Sequence, residues 1–185
     1  MSDVIQLFSS PKCHGIIPYF DEVWADALIQ THLDPNVYAM QSAPGFETPD
    51  GPRMSSTILV LRREGLFELR VRPSVEATGS TIAELPDSEH RAWILKEEDV
   101  LASPMKENAR EIWASRGFRM SVHLRMSVLD EVRHRSVAFS ELVARLEAFA
   151  HADKAVLHLA WIGALQFEAG RHLIGPSTLV SATGS

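Results

Sequence analysis

Glu68, Arg70 and Arg72 fall at alternate positions, so any strand that holds them puts one carboxylate and two guanidiniums on a single face. Carboxylates collect divalent cations, and Glu22, Asp26, Glu64 and Glu68 are the candidates for such a cluster. Guanidiniums do the opposite. They donate hydrogen bonds, accept none and repel a cation, so Arg70 and Arg72 suit an anion such as phosphate. The plain alternative is that Glu68, Arg70 and Arg72 are the solvated face of a half-buried strand. A second basic stretch runs from Val122 to Arg135, with Arg125, Arg133 and Arg135 beside His123 and His134, and reads as a linker or a recognition surface. The other reactive types are poorly arranged. Cys13 adjoins His14 but has no third group to orient the pair, and no histidine pair shows structural zinc spacing with a Cys partner. His158 sits among apolar residues and reads as a core histidine. Ser177 and Thr178 lie in a turn, not a strained elbow.

The chain that must position these groups has 185 residues, of which 45% are apolar, enough for one or two small domains. No apolar run approaches the length of a bilayer span, so no membrane partner is expected. Met-Ser-Asp-Val lacks the basic and apolar regions of a secretory signal, and the single cysteine cannot form an internal disulfide; both lead to an expectation of a cytoplasmic protein. The net charge of −6 is unevenly spread: residues 1–102 hold 8 basic and 16 acidic groups, residues 103–185 hold 10 basic and 8 acidic. Of the 18 cations 14 are arginine, which fits phosphate recognition and equally fits a biased genome composition.

Residues 1–19 read as an irregular arm. A helix follows from Asp21 to His32, its first turn acidic in keeping with the helix dipole. Asp34-Pro35-Asn36 ends it, and Val37 to Met40 look extended. Ala43-Pro44-Gly45 and Pro49-Asp50-Gly51-Pro52 make a turn-rich link. The clearest hairpin joins Thr57–Leu61 to Leu66–Arg72 through Arg63-Glu64-Gly65, with Phe67, Leu69 and Val71 opposite the charged face. After a polar connection come a strand over 91–95, a turn at 97–99 and a helix over 105–116 closed by Gly117. Ser140 is expected to cap a helix from Glu141 to His151. A second helix from Asp153 to Glu168 is apolar nearly all round and must be buried, with Trp161 and Phe167 in the core. Arg171–Ile174 and Ser177–Val180 close the chain as a small hairpin. The order is α/β, and the last part has the order of a winged-helix module's second half.

The succession Asp21 to Asp26, Asp34-Pro35-Asn36-Val37, Gln41 with Pro44, Ser56-Thr57, Glu64-Gly65, Arg70-Val71-Arg72 and Lys106-Glu107-Asn108 resembles the TnsA-type endonuclease subunit of heteromeric cut-and-paste transposases. The resemblance covers roughly residues 20–116, with a looser likeness over 136–181. It implies a restriction-endonuclease-like mixed sheet flanked by helices over residues 20–131, followed by a small winged-helix-like domain over 132–185. In active relatives a helix glutamate, the Asp of Pro-Asp, a Glu or Gln and a lysine form the Mg²⁺ site. Here Glu22 or Asp26 can fill the helix position, Thr57 stands for the aspartate, Arg70 for the second ligand and Arg72 for the lysine. That set is expected to bind no metal and need no cofactor, leaving a non-catalytic subunit that grips DNA through Arg70, Arg72, Arg125, Arg133 and Arg135. The resemblance implies a transposase subunit and an ATP-hydrolysing regulator as partners. Two other readings stay open: a Mg²⁺-dependent nicking endonuclease whose site has migrated to Glu64 or Glu68, and a protein adaptor that binds no DNA.

Overall fold

The computed structural model describes residues 5–43, 46–48, 51–53, 57–73 and 91–183. The chain forms two compact units, Met1–Ala102 and Ser103–Ser185. The expected turns at Pro44-Gly45 and Pro49-Asp50, the position of Ser56 and the polar connection after Pro73 lie outside the described residues.

In the first unit, Gln6–Phe8 (β1) and Ile17–Tyr19 (β2) pair as an antiparallel hairpin. The segment expected to be an irregular arm is therefore ordered, because Phe8 and Ile17 face each other and are buried. Strands of three residues are too short for a period to reveal them. Helix α1, Glu22–Leu33, lies where it was expected, but Asp21 is its cap and not part of its first turn: Asp21 Oδ1 accepts the Trp24 N–H at 2.8 Å, giving one of the first free amides a partner. Asp34 ends the helix, its carboxylate turning back to the Asn36 N–H at 2.8 Å while Pro35 blocks another turn. Asp34 also ties down two distant cations. Its carbonyl accepts from Lys12 Nζ at 2.8 Å and its carboxylate lies 3.4 Å from Arg62.

Five strands follow: Val37–Ser42 (β3), Phe46–Thr48 (β4), Gly51–Arg53 (β5), Ile58–Arg62 (β6) and Gly65–Arg72 (β7). β4 and β5 make a small hairpin of their own. The tight turn between β6 and β7 is made by Arg63 and Glu64, with Gly65 at a φ of 128° that a side chain would resist. Arg91–Lys96 (β8) completes a mixed four-stranded sheet in the order β3-β6-β7-β8, in which the first three strands are antiparallel and β8 runs parallel to β7. One face carries Met40, Ile58, Val60 and Leu69, all buried. The opposite face is not simply wet, since Leu59 and Glu68, paired across the strands, are buried too. Glu97–Val100 (α2) is a short helix where a turn was expected, and Gln30 Nε2 on α1 donates to the Val100 carbonyl at 2.7 Å.

The second unit contains Met105–Ala114 (α3), a 3-10 turn at Ser115–Gly117, Val122–Val132 (α4), Val137–Ala138 (β9), Phe139–Arg145 (α5), Ala152–Trp161 (α6), Leu165–Phe167 (β10) and Leu179–Ala182 (β11). β11 lies between β10 and β9, antiparallel to both. The basic stretch read as a linker is helical. Ser121 Oγ caps α4 by accepting from the Leu124 N–H, and Leu124, Val128 and Val132 enter the core on one face, leaving the basic side chains outside. α5 begins at Phe139 and not at Glu141. Ser140 lies within its first turn and gives its backbone N–H to the Pro176 carbonyl at 2.9 Å, so it is not a cap. α6 is buried as its composition requires, but it stops at Trp161 because Gly163, at φ +77°, turns the chain back. Leu165–Phe167, expected as helix, becomes a strand whose Leu165 is buried with Val180. The closing hairpin is therefore β10 and β11, with residues 168–178 joining them. α3, α4 and α5 all pack on α6, so the units divide at Ala102–Ser103, where the sequence placed the boundary after residue 131.

The architecture is mixed α/β, with a mixed sheet and flanking helices. Among the described residues no helix is long and apolar enough to cross a membrane. His151, at the start of α6, has φ 59° and ψ 38°, a left-handed conformation that costs a side chain energy. Replacing it with glycine should stabilise the protein by about 0.5–1 kcal/mol in urea denaturation, after allowing for glycine's greater loss of freedom on folding. Burial lowers the Lys12 pKa more than the nearby Asp34 charge raises it. In the alkaline window between that lowered value and the ordinary lysine value the unfolded chain binds more protons, so stability should rise with pH there; Lys12→Met should abolish that rise.

Candidate nucleic-acid interface

The charged face of β7 is set by strand alternation, which turns Glu68, Arg70 and Arg72 away from the Leu69 side. Arg70 folds back on Glu68 as a two-pronged pair, Nε to Oε1 at 3.0 Å and a terminal nitrogen to Oε2 at 3.1 Å. Glu68 is 10% exposed in its side chain and Arg70 is 37% exposed, so the pair stands with its carboxylate inside and part of its guanidinium outside. The hydrogen bond that Arg70 donates to Glu68 pushes the Arg70 pKa above its ordinary value, with partial desolvation opposing and the carboxylate's charge adding to the rise. This face is buried at Glu68 and solvated at Arg72. Its inner part is a carboxylate already neutralised by a guanidinium of its own strand.

Neighbouring strands bring further groups to the same face. Ile58 pairs with Leu69, so the ladder continued by one residue sets Thr57 across from Arg70. On the other side the parallel register places Ile94 beside Arg70 and Lys96 beside Arg72. Arg72 is exposed, and Lys96 is exposed with its ammonium 3.4 Å from Glu98. Three of the expected site positions, Thr57, Arg70 and Arg72, therefore share one face, and Lys96 joins them. Sequence reasoning had no access to Lys96, because the alignment of β8 on β7 depends on the connection between them.

Of the two helix candidates, Glu22 is exposed in the first turn of α1 and Asp26 is 1% exposed within it. Glu64 lies in the turn and is paired with Arg62 at 3.6 Å; Arg62 in turn stacks its guanidinium 4.0 Å over the Trp93 ring. Among the described residues no group of three or more His, Cys, Asp or Glu stands where it could hold a metal ion. The donor set is also chemically wrong for one. A hydroxyl at Thr57 and guanidiniums at Arg70 and Arg72 do not fit Mg²⁺, since two like charges about 4 Å apart repel by about 4 kcal/mol at an effective dielectric of 20. They fit an anion held by Arg72, Lys96 and the outer edge of Arg70.

In the second unit the expected contact residues are spread out. Arg125 is exposed on α4, Arg133 at its C-terminal end pairs with Asp130 at 3.5 Å, and Arg135 is exposed before β9. Arg145 does not belong to this set, because Glu131 and Glu141 hold it on both sides. His158 is a structural histidine: its Nδ1 lies 2.9 Å from the Ser115 carbonyl and its ring packs 5.0 Å from Trp161. Cys13 is a free thiol 3.2 Å from Ser10 Oγ, with exposed His14 beside it in sequence.

Comparison with protein-family models and with curated proteins finds no match for this chain. The Glu68–Arg70 pair is expected to couple by about 1–2 kcal/mol in a double-mutant cycle with Glu68→Gln and Arg70→Met, between the ~0.2–1 kcal/mol of exposed pairs and the ~3–5 kcal/mol lost on breaking buried ones. Urea denaturation of the four proteins measures it. Simple additivity would mean that the two side chains act independently.

Proposed function

We propose that the protein is a TnsA-like, non-catalytic subunit of a heteromeric DNA transposition complex, which grips DNA and scaffolds a transposase subunit and an ATP-hydrolysing regulator. One observation carries the reading: the strand face where a nuclease of this kind would gather carboxylates around Mg²⁺ instead presents Arg70, Arg72 and Lys96, with its buried Glu68 clasped by Arg70. Such a face offers positive charge to a phosphate backbone, and backbone contacts hold a protein on DNA without reading sequence. The mixed sheet led by α1 supports a restriction-endonuclease-like scaffold under this face. We read the second unit as winged-helix-like, supported by the order α4, β9, α5, α6, β10, β11 and by β11 lying between its two partners.

That second reading constrains how DNA would be met. In helix-turn-helix proteins the second helix of the motif enters the major groove. Here that helix is α6, and α3 with the following 3-10 turn packs on it. Its His158 is tied to Ser115 and its Trp161 packs on His158. Groove reading by α6 is therefore not part of the proposal. DNA contact in the second unit falls to exposed side chains such as Arg125 and Arg135.

The competing adaptor reading draws on the acidic balance of residues 1–102. Fluorescence anisotropy with a duplex of arbitrary sequence, over a salt series with Mg²⁺ present, separates the readings. The wild type should bind with a steep salt dependence and leave the DNA intact on a gel. Arg72→Ala should reduce the slope of log K against log salt by about 1, the loss of one phosphate contact. Arg70→Ala tests the same face but also uncovers Glu68, so Arg72 is the cleaner probe. Cut products would support a migrated nuclease site, and absence of any binding would support the adaptor.

A further inference from the structure

The fold treats the two edges of the four-stranded sheet differently. At β3 the chain closes the edge itself: the Met40 N–H donates to the Lys12 carbonyl at 2.7 Å and the His14 N–H to the Met40 carbonyl at 2.8 Å, around a bridge between Cys13 and Met40. At the other edge, among the described residues, β8 pairs only with β7. None of its six residues is buried: Arg91, Ala92, Ile94 and Lys96 are exposed, Ile94 by 44%, and Trp93 and Leu95 are half-buried. An open edge of that length is a template for a further strand.

The side chains of β8 define the strand it would accept. A charged edge normally deters pairing, but the charges here differ in sign along the strand, with Arg91 at its start and Glu97 directly after Lys96. Two antiparallel copies of β8, related by a two-fold axis normal to the sheet through Ile94, would set Arg91 opposite Glu97, Trp93 opposite Leu95 and Ala92 opposite Lys96, each pair occurring twice. One face then carries two aromatic–aliphatic pairs flanked by two ion pairs, the kinds of cross-strand pair that stabilise a sheet. Arg91 already lies over the Phe67 ring, its guanidinium 5.1 Å from the centroid. The neighbouring registers lose this match. With Trp93 on the axis, Arg91 meets Leu95 and Glu97 passes the end of the partner strand; with Leu95 on the axis, Trp93 meets Glu97 and Ile94 meets Lys96. We infer that β8 is a self-association site, pairing antiparallel with β8 of a second copy of this chain in the register centred on Ile94. A two-fold axis normal to the sheet keeps each face on its own side, so Arg70, Arg72 and Lys96 of both copies share one side of the joined sheet. The pairing does not depend on the DNA-binding reading, and its test uses no DNA.

One short ladder buries less than a standard interface, so the dimer forms reversibly as concentration rises. Sedimentation velocity of the full chain across a concentration series reads it. The wild type should pass from monomer to dimer. Arg91→Glu and Glu97→Arg should each weaken the dimer about 10-fold, because each sets two like-charged pairs across the axis, and the two reversals combined should return it to within about 3-fold of wild type. Ile94→Glu places two carboxylates face to face on the axis, at a position exposed in the single chain and beside Arg70, and should leave only monomer. Urea denaturation shows whether each variant keeps its fold; should a reversal fail to fold, Ile94→Glu decides alone. A wild type that stays monomeric at every concentration refutes the association. A dimer that survives Ile94→Glu and both single reversals forms elsewhere on the chain, which refutes the β8 pairing. Folded single reversals that weaken the dimer with no recovery in the combined variant overturn the register.

Discussion

Helix α6 is apolar round nearly its whole circumference, and the second unit is organised by the need to cover it. α5 and the strands cover part of it, α4 adds another side, and α3 with the 3-10 turn covers the rest. Burying six of its side chains below a tenth of their surface leaves little of the helix for a ligand. His158, the polar residue in the middle of this helix, is accommodated by giving its ring nitrogen to the Ser115 carbonyl, so the burial carries no unpaired imidazole there.

How much of this was legible depended on element length. The hairpin over 57–72 and the helix over 21–32 were legible because their periods run for several repeats: alternate Phe67, Leu69 and Val71 in one case, Trp24 and Leu28 after an acidic start in the other. β1 and β2 were not, since three residues carry no measurable period, and their stability comes from the Phe8–Ile17 contact across the turn. α4 was hidden by composition. Its arginine and histidine drew attention while Leu124, Val128 and Val132, spaced by four, set the fold. The end of α6 was missed because an apolar run continues past Trp161; only Gly163 signals that the backbone turns there. For the candidate site, the alternation in β7 placed Arg70 and Arg72 together from sequence, but Lys96 needed the parallel register of β8, and the capture of Arg70 by Glu68 needed side-chain geometry.

That capture changes what the arginines can do. A guanidinium engaged on two prongs by an inner carboxylate has spent its planar fork and keeps only its outer edge for an incoming anion. Arg72, one step further along the same face, is exposed, and among the described residues its own strand offers it no inner carboxylate like Glu68. The two residues look equivalent in the sequence and are not equivalent in the fold. Their difference arises from Glu68, whose burial would be costly without a nearby cation. The carboxylate that might have served a metal is thereby the reason one arginine is fixed.

The place of β11 between β9 and β10 also bears on how the molecule comes into being. Among the described residues β9 and β10 do not pair with each other; each forms its ladder with β11, which lies last of the three along the chain. During synthesis the helices of the second unit can therefore emerge and collapse on α6 while Val137 still lacks its partner at Val180. The sheet cannot begin to assemble from its first strand and must wait for its final one, a long-range closure of the kind that slows folding. Until then the unpaired edges of β9 and β10 are exposed to other chains, a window in which strand exchange between copies or assistance from a chaperone would have its effect.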